Sequence, residues 1–550
     1  MTKFKGLLSK GGDHLRYMEN KINQKSTIDM SKQQPITILG ASIGNCVHIA
    51  GVANFLRLAE SMGIKTMLMG AAVSPARLIE TIDIFKPAVV GISYRLTPEI
   101  GSVILDEFLE RLGERKPILI FGGTPKMTDI AKRTGRFAFL FKGDESFAHV
   151  EKVLRQIQCG NIVAGVNSEI KNTKRNHSTL ISRLQNLVRI SNDSHYIPLL
   201  RHHFGLPSLE ETIEGIQIIA DSEVLDIISI APDQNAQQFF FRPHQMDPQL
   251  NGAGGVPVRS GEDLRRIKEA AQCGNFPLLR IYAGTEDLQK WADLSVKELN
   301  NAWGAVPLFW YSELDGRSDR ELEQAILENQ SVIKWYADRC LPVEVLEAHQ
   351  WSLRDSSDAV AVAAAYIGAY NARALGVKDF IGQYMFNTPR FTSPICDLAK
   401  MTAQYLMIES LCSESFIQWR QVRPGLSHFS GDPDIAKGQL ATTISFALGL
   451  RPHIIHVVSY TEADHAANAQ EVIESCKIVI GTIKNTLSGM PDPLKDARIS
   501  KKRIEIIEEA SWILGTVDNL GRYLGADDPF TDPATLSAAV RIGILDAPHL

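Results

Sequence analysis

The chain has 550 residues, 44% of them hydrophobic and 22% charged, with a formal net charge of −5. That length requires two or three domains, and the composition is that of a globular chain with a large core. The lack of net positive charge disfavours grip on a phosphate backbone, so nucleic acid is not an expected partner. The seven cysteines are odd in number and scattered, which argues for a reducing compartment without a disulfide framework.

Residues 1–34 are polar and read as a flexible N-terminal extension without the apolar core of a signal peptide. From 35 to 157, short apolar strands alternate with amphipathic helices. The strands are expected at Thr37–Leu39, Thr66–Met69, Ala88–Ser93, Ile118–Phe121 and Phe139–Lys142. The pattern predicts a five-stranded parallel sheet wrapped by helices, a Rossmann-like (flavodoxin-like) α/β domain. Residues 158–195 are richer in Asn, Ser and charge and read as a connection, with a short helical stretch near Leu180–Val188.

From 196 to 490 the alternation resumes at a longer period. Strands are expected at Ile197–Arg201, Leu225–Ile230, Pro277–Ile281, Ala305–Trp310, Val343–Glu347, Asp379–Gln383, Phe416–Gln421 and His453–Val458. Eight strands with intervening helices predict a (β/α)8 TIM barrel. Residues 491–550 read as a helical extension of that barrel. The most apolar run, Ala359 to Val377, is interrupted by Tyr366, Tyr370, Asn371 and Arg373, so it reads as a buried helix and not a membrane span. The expected location is cytoplasmic, with no membrane partner.

Three motifs close strands of the first domain. ITILGASIGNCVHIAG (Ile36 to Gly51) carries His48 and Gly51 on the loop after a strand. GISYRLTPE carries Ser93 and Leu96, and IFGGTP carries Gly122 and Gly123. In open parallel sheets, ligands bind at this carboxyl edge. In the barrel, candidates at strand ends are Arg201, Asp233, Gln234, Asn235, Arg280, Tyr311, Glu313, His349, Gln350, Trp351, Gln383, Tyr384, Arg420, Arg423, His428, Glu462, Asp464 and His465. Arginines among them suit bidentate recognition of a carboxylate.

In that order, the histidine loop, Ser-x-x-Leu strand end and Gly-Gly strand end resemble the cobalamin-binding domain of B12-dependent mutases and methionine synthases. The resemblance implies that His48 is the lower axial ligand of cobalt. It implies further that Gly51, Ser93, Leu96, Gly122 and Gly123 accommodate the cofactor's nucleotide tail. The family pattern is Asp-x-His-x-x-Gly, and this chain has Cys46 where the aspartate stands. That aspartate normally accepts the other imidazole proton, a role cysteine fills poorly.

Downstream, GGVPVRSGEDL, LLRIYAGTED, ALGVKDFIGQY, ATTISFALGL and GILDAP resemble the catalytic barrel of glutamate mutase (methylaspartate mutase), collinearly over about Leu199 to Leu550. The resemblance implies an adenosylcobalamin-dependent radical isomerase, cobalamin domain and barrel fused in one chain, assembling as a homodimer and acting on an amino acid or related carboxylate. Arg201 and Arg280 match two arginines of the family's substrate claw. Asp233 falls where the third would stand, which predicts reversed charge at one end of the pocket and a substrate with a non-anionic far end. The family's amine-contacting glutamate falls at Val306–Pro307. Of its ribose-contacting pair, only the acid remains, as Glu462, with Ser459 in place of the lysine. Two alternatives are a corrinoid methyltransferase and a non-catalytic cobalamin carrier or sensor.

Overall fold

The computed structural model describes residues 36–143, 145, 147–158, 179–191, 197–282, 284 and 286–550. The expected extension over 1–34 lies outside them, as does most of the expected connection. The described residues form two compact units, 36–158 and 179–550.

The first unit is a parallel sheet of β1 (Thr37–Ile43), β2 (Lys65–Val73), β3 (Val89–Tyr94), β4 (Ile118–Gly123) and β5 (Phe139–Phe141). Their order is β2-β1-β3-β4-β5. Between them run α1 (Ala50–Ser61), α2 (Pro75–Phe85), α3 (Pro98–Leu112) and α4 (Pro125–Arg133), with α5 (Phe147–Gln158) last. Alternation along the strands separates two cores. Leu39, Val90, Ile92 and Phe121 pack with α2, α3 and α4 on one face. Ile38, Val89 and Ile120 pack with α1 and α5 on the other. All six residues of β3 are buried, as the centre of a doubly covered parallel sheet requires. This strand order places a topological switch point between β1 and β3, where doubly wound sheets open a binding crevice.

The second unit contains eight parallel strands: β6 (Leu199–Phe204), β7 (Ile227–Ile230), β8 (Leu278–Ile281), β9 (Gly304–Val306), β10 (Val343–Val345), β11 (Asp379–Phe386), β12 (Ile417–Pro424) and β13 (Ile454–Val457). Their order, β8-β7-β6-β13-β12-β11-β10-β9, is that of a barrel left open between β8 and β9. The gap is spanned by Ala302 N–H donating to Leu279 O at 2.8 Å and Ile281 N–H donating to Asn301 Oδ1 at 3.1 Å. Of the surrounding helices, α6 (Leu180–Ser191) falls in the expected connection yet plugs the amino-terminal end of the barrel. Its Leu180 and Leu184 pack on Ile227, Trp303, Ile381, Trp419 and Ile454. A long helix, α7 (Ala497–Leu524), joins the barrel's core through Ile506, Ala510, Leu514 and Val517. Among the described residues no helix is long and apolar enough to cross a membrane.

Two strands are shorter than the expected Ala305–Trp310 and Val343–Glu347, ending at Val306 and Val345. Pro307 has no N–H for the ladder. Leu308 and Phe309 give their N–H groups to the Glu347 carboxylate instead. Two others run longer, to Phe386 and Pro424, because β11 and β12 pair in unbroken register over that length.

Candidate functional site

In the sheet unit, the sequence-predicted residues gather around the β1/β3 switch point. The loop after β1 leaves His48 exposed while Cys46 is fully buried. The Cys46 sulfur lies 3.7 Å from His48 Nδ1 and accepts the Arg95 N–H at 3.4 Å. Tyr94 Oη donates to Asn45 Oδ1 at 3.1 Å, tying the ends of β1 and β3 together. Held at Nδ1, the His48 ring leaves Nε2 for a ligand.

Beside it, Ser93 is paired in register with Ser42 of β1 and Gly122 of β4. Its hydroxyl is buried without a partner among the described residues. A Cβ built on Gly122 would meet nothing within 4 Å, and the same holds for Gly51. One on Gly123 would meet Tyr94 O at 2.6 Å, so that glycine keeps β4 close to β3. Leu96 is half-buried against the core. This edge thus offers an exposed imidazole, a buried hydroxyl without a partner among the described residues and open space over a glycine.

In the barrel, inward positions alternate along the strands. Arg201 (β6), Arg280 (β8), Glu344 (β10) and Gln421 (β12) come from every other strand, which is how a TIM barrel builds one layer of its interior. Such layers are normally apolar; this one is charged. Arg201 is 1% exposed, Arg280 1% and Glu344 0%. Arg201 donates from Nε to Ser229 Oγ (2.7 Å), from Nη1 to Gln421 Oε1 (2.7 Å) and from Nη2 to His203 Nε2 (2.9 Å). Glu344 accepts from Trp303 Nε1 at 2.8 Å and Gln421 Nε2 at 2.9 Å. The two guanidinium groups lie 3.5 and 3.4 Å from it.

Burial pushes the Glu344 carboxyl up, but Arg201 and Arg280 outweigh it and hold the group below its ordinary value. Burial, with Arg280 beside it, pulls Arg201 down to about 9, still cationic at neutral pH. Two buried cations therefore share one carboxylate. Among the described residues, Arg280 Nε and Nη1 have no partners. Nearby in the alternating pattern, Gln383 Nε2, His456 Nδ1 and Arg423 Nε are likewise without partners among the described residues. Unpaired buried donors cost free energy unless a ligand or water satisfies them. Toward the mouth stand His203, Tyr282 and Arg423, all half-buried.

Asp233 does not join this group. Its carboxylate caps a short helix through Ala236 N–H at 2.9 Å, accepts Gly252 N–H at 2.9 Å and pairs with both terminal nitrogens of Arg259. The charge reversal expected there is cancelled by Arg259, and no oxygen is left to face a substrate. Glu462 lies on the loop after β13, its carboxylate 3.5 Å from His202, which points out of the barrel where Arg201 and His203 point in. Arg420 also turns outward, donating to Arg451 O.

Sequence reasoning missed Glu344, Gln421, His203, Tyr282 and His456. The signal was there for the strands that it located: polar residues at alternate positions of LLRHHF, VEV, IQWRQVRP and IIHV mark an inward polar face.

No protein-family model and no curated protein matches the chain. Among solved structures, it is similar to a novel cobalamin-binding protein from Desulfitobacterium hafniense DCB-2, at 20% identity and a TM-score of 0.20, covering 24% of this chain and 60% of that one. It is similar to the signal receiver domain of the response regulator NarL from Mycobacterium tuberculosis, at 16% identity and a TM-score of 0.17, covering 23% of this chain and 99% of that one. It is also similar to the apo form of the cobalamin-dependent S-adenosylmethionine radical enzyme OxsB, at 10% identity and a TM-score of 0.18, covering 82% of this chain and 56% of that one. The chain thus spans less than two thirds of the first and third of these proteins, and scores this low assign no family.

Proposed function

We propose that this protein is a cobalamin-dependent isomerase that binds a carboxylate substrate in its barrel. The observation that carries the reading is the His48 loop. An exposed imidazole, oriented through Nδ1 by Cys46 at 3.7 Å, stands at the switch point beside the unsatisfied Ser93 hydroxyl and the open space over Gly122. His48 would offer Nε2 to cobalt, and Cys46 would hold the ring. Ser93 would hydrogen-bond the nucleotide tail, with Gly51 and Gly122 leaving it room and Leu96 and Gly123 shaping the slot.

Adenosylcobalamin, when bound, supplies the hydrogen-abstracting radical chemistry. The barrel's own residues bind and orient the substrate and keep water out. Arg280 has two donors without partners among the described residues, which suit a carboxylate, and Glu344 keeps it and Arg201 in place. A carrier without catalysis would have no use for two buried arginines sharing one carboxylate.

The test is an absorption and EPR series on the full chain with adenosylcobalamin, for wild type and His48→Ala. A base-off, imidazole-ligated spectrum that His48→Ala abolishes is the expected result. An unchanged cofactor spectrum with excess wild-type protein would refute cobalamin binding, and a signature surviving in His48→Ala would refute the axial role.

A further inference from the structure

The side-chain amides of the barrel wall orient one another, because a guanidinium only donates. Arg201 Nη1 gives its hydrogen to Gln421 Oε1 at 2.7 Å, so the other end of that amide is Nε2. Gln421 Nε2 donates to Glu344 Oε1 at 2.9 Å and to Gln383 Oε1 at 3.4 Å. The other end of the Gln383 amide is therefore Nε2, a donor without a partner among the described residues. Gln404, on the helix Pro394–Glu409, donates from Nε2 to the Gln383 backbone carbonyl at 2.9 Å. That bond fixes Gln404 Oε1 as an acceptor, again without a partner among the described residues.

Both amides belong to residues that line one cavity. β10 and β11 pair only at Val343 with Phe380 and Glu344 with Ile381, and beyond that point the strands part. A cavity of about 10 Å³ lies there, lined by Val345, Glu347 and His349 after the parting of β10 and by Gly382, Gln383 and Gln404 opposite, all of them buried. Both Glu347 oxygens are taken, by the N–H groups of Leu308 and Phe309 and the indoles of Trp310 and Trp351. His349 Nδ1 is the third atom of these liners without a partner among the described residues. Burial, with Arg423 near, pulls that imidazole down to about 3, so it carries no charge at neutral pH.

The lining decides what can enter. An amide donor does not ligate a metal ion, an amide acceptor repels an anion, and the volume admits one molecule the size of water. A neutral molecule that both accepts and donates meets the two amides and keeps a further bond for the imidazole. We infer that this cavity binds one water molecule, bonded to Gln383 Nε2, Gln404 Oε1 and His349 Nδ1. The water extends the hydrogen-bonded chain from Arg201 through Gln421 and Gln383 to His349 on the loop after β10. Gln404, on a helix outside the barrel wall, is then a positioning residue that sets His349 through the water. The inference does not depend on cobalamin.

Crystals of the full chain without added ligand, at a resolution that shows ordered water, provide the first test. Wild type should show one rounded density within about 2.7–3.2 Å of all three atoms. A cavity without density, side chains bonded directly to one another, or density at the distances of about 2.0–2.6 Å that a metal ion requires would overturn the inference.

Gln404→Met removes the acceptor and keeps an unbranched side chain. In the variant the density should be lost, and in histidine-labelled protein the 15N signal of His349 Nδ1 should move while those of His428 and His465 stay in place. A His349 signal that does not move, or a water that remains, would overturn the role of Gln404. If the variant does not fold, the wild-type density still decides whether the water is bound.

Discussion

Replacing Glu344 with glutamine keeps the shape of the side chain and removes its charge. The carboxylate faces Arg280 at 3.4 Å and Arg201 at 3.5 Å, and all three groups are buried. At an effective dielectric constant of about 20, each such pair contributes about 5 kcal/mol. Desolvation of the ions offsets much of this, so the net cost of breaking a buried pair from one side is about 3–5 kcal/mol. The glutamine amide can still accept one of the bonds from Trp303 or Gln421, but two guanidinium groups are then left facing each other. Glu344→Gln should therefore destabilise the barrel by about 3–5 kcal/mol, read as the shift of the barrel transition in urea. Millimolar anion should recover part of the loss, because it supplies the missing charge. A loss below about 1 kcal/mol would refute the reasoning, since it would mean that the arginines are compensated elsewhere.

The same carboxylate sets a pH response. Its folded value is depressed by the two arginines, so it contributes stability that is present above its unfolded pKa and lost as pH falls through the folded one. The barrel's melting temperature should fall through the acid range more steeply in wild type than in Glu344→Gln. Asp233→Ala should cost about 3 kcal/mol by stranding Arg259 and two backbone donors, measured by urea unfolding, while leaving the cofactor spectrum unchanged. Gly122→Leu should leave the melting temperature of the sheet unit near wild type, because its Cβ enters empty space, yet abolish the cobalamin spectrum. Cys46→Asp should tighten cobalamin binding by about tenfold through a stronger partner for His48 Nδ1, read by spectral titration.

Much of the architecture was legible because it rests on local pattern. Strand and helix periods, with Gly and Pro at the right ends, gave the parallel sheet and the eight barrel strands. The strand-end misreadings came from Pro307 and Glu347, where a buried carboxylate diverts backbone donors out of the ladder, a contact between residues 39 positions apart. The His48, Ser93 and Gly122 positions were legible as motifs. That Cys46 sulfur reaches the imidazole was not, since it depends on the turn after β1.

The barrel site divides along the same line. Arg201 and Arg280 stood out in the sequence as charges within apolar strands, where only a paired or ligand-bearing arginine is tolerated. The sign of Asp233 read alone was misleading, because Arg259 lies 26 residues away and only folding brings its guanidinium onto the carboxylate. Glu344, Gln421, His203 and Tyr282 lie on four different strands or their ends, and their proximity exists only once the sheet curls. Local sequence thus determined which elements form and which side chains are costly to bury. Barrel closure decided which of those side chains compensate one another and which donors are left for a ligand, because hydrogen bonding and charge pairing act over distances that only the closed fold sets.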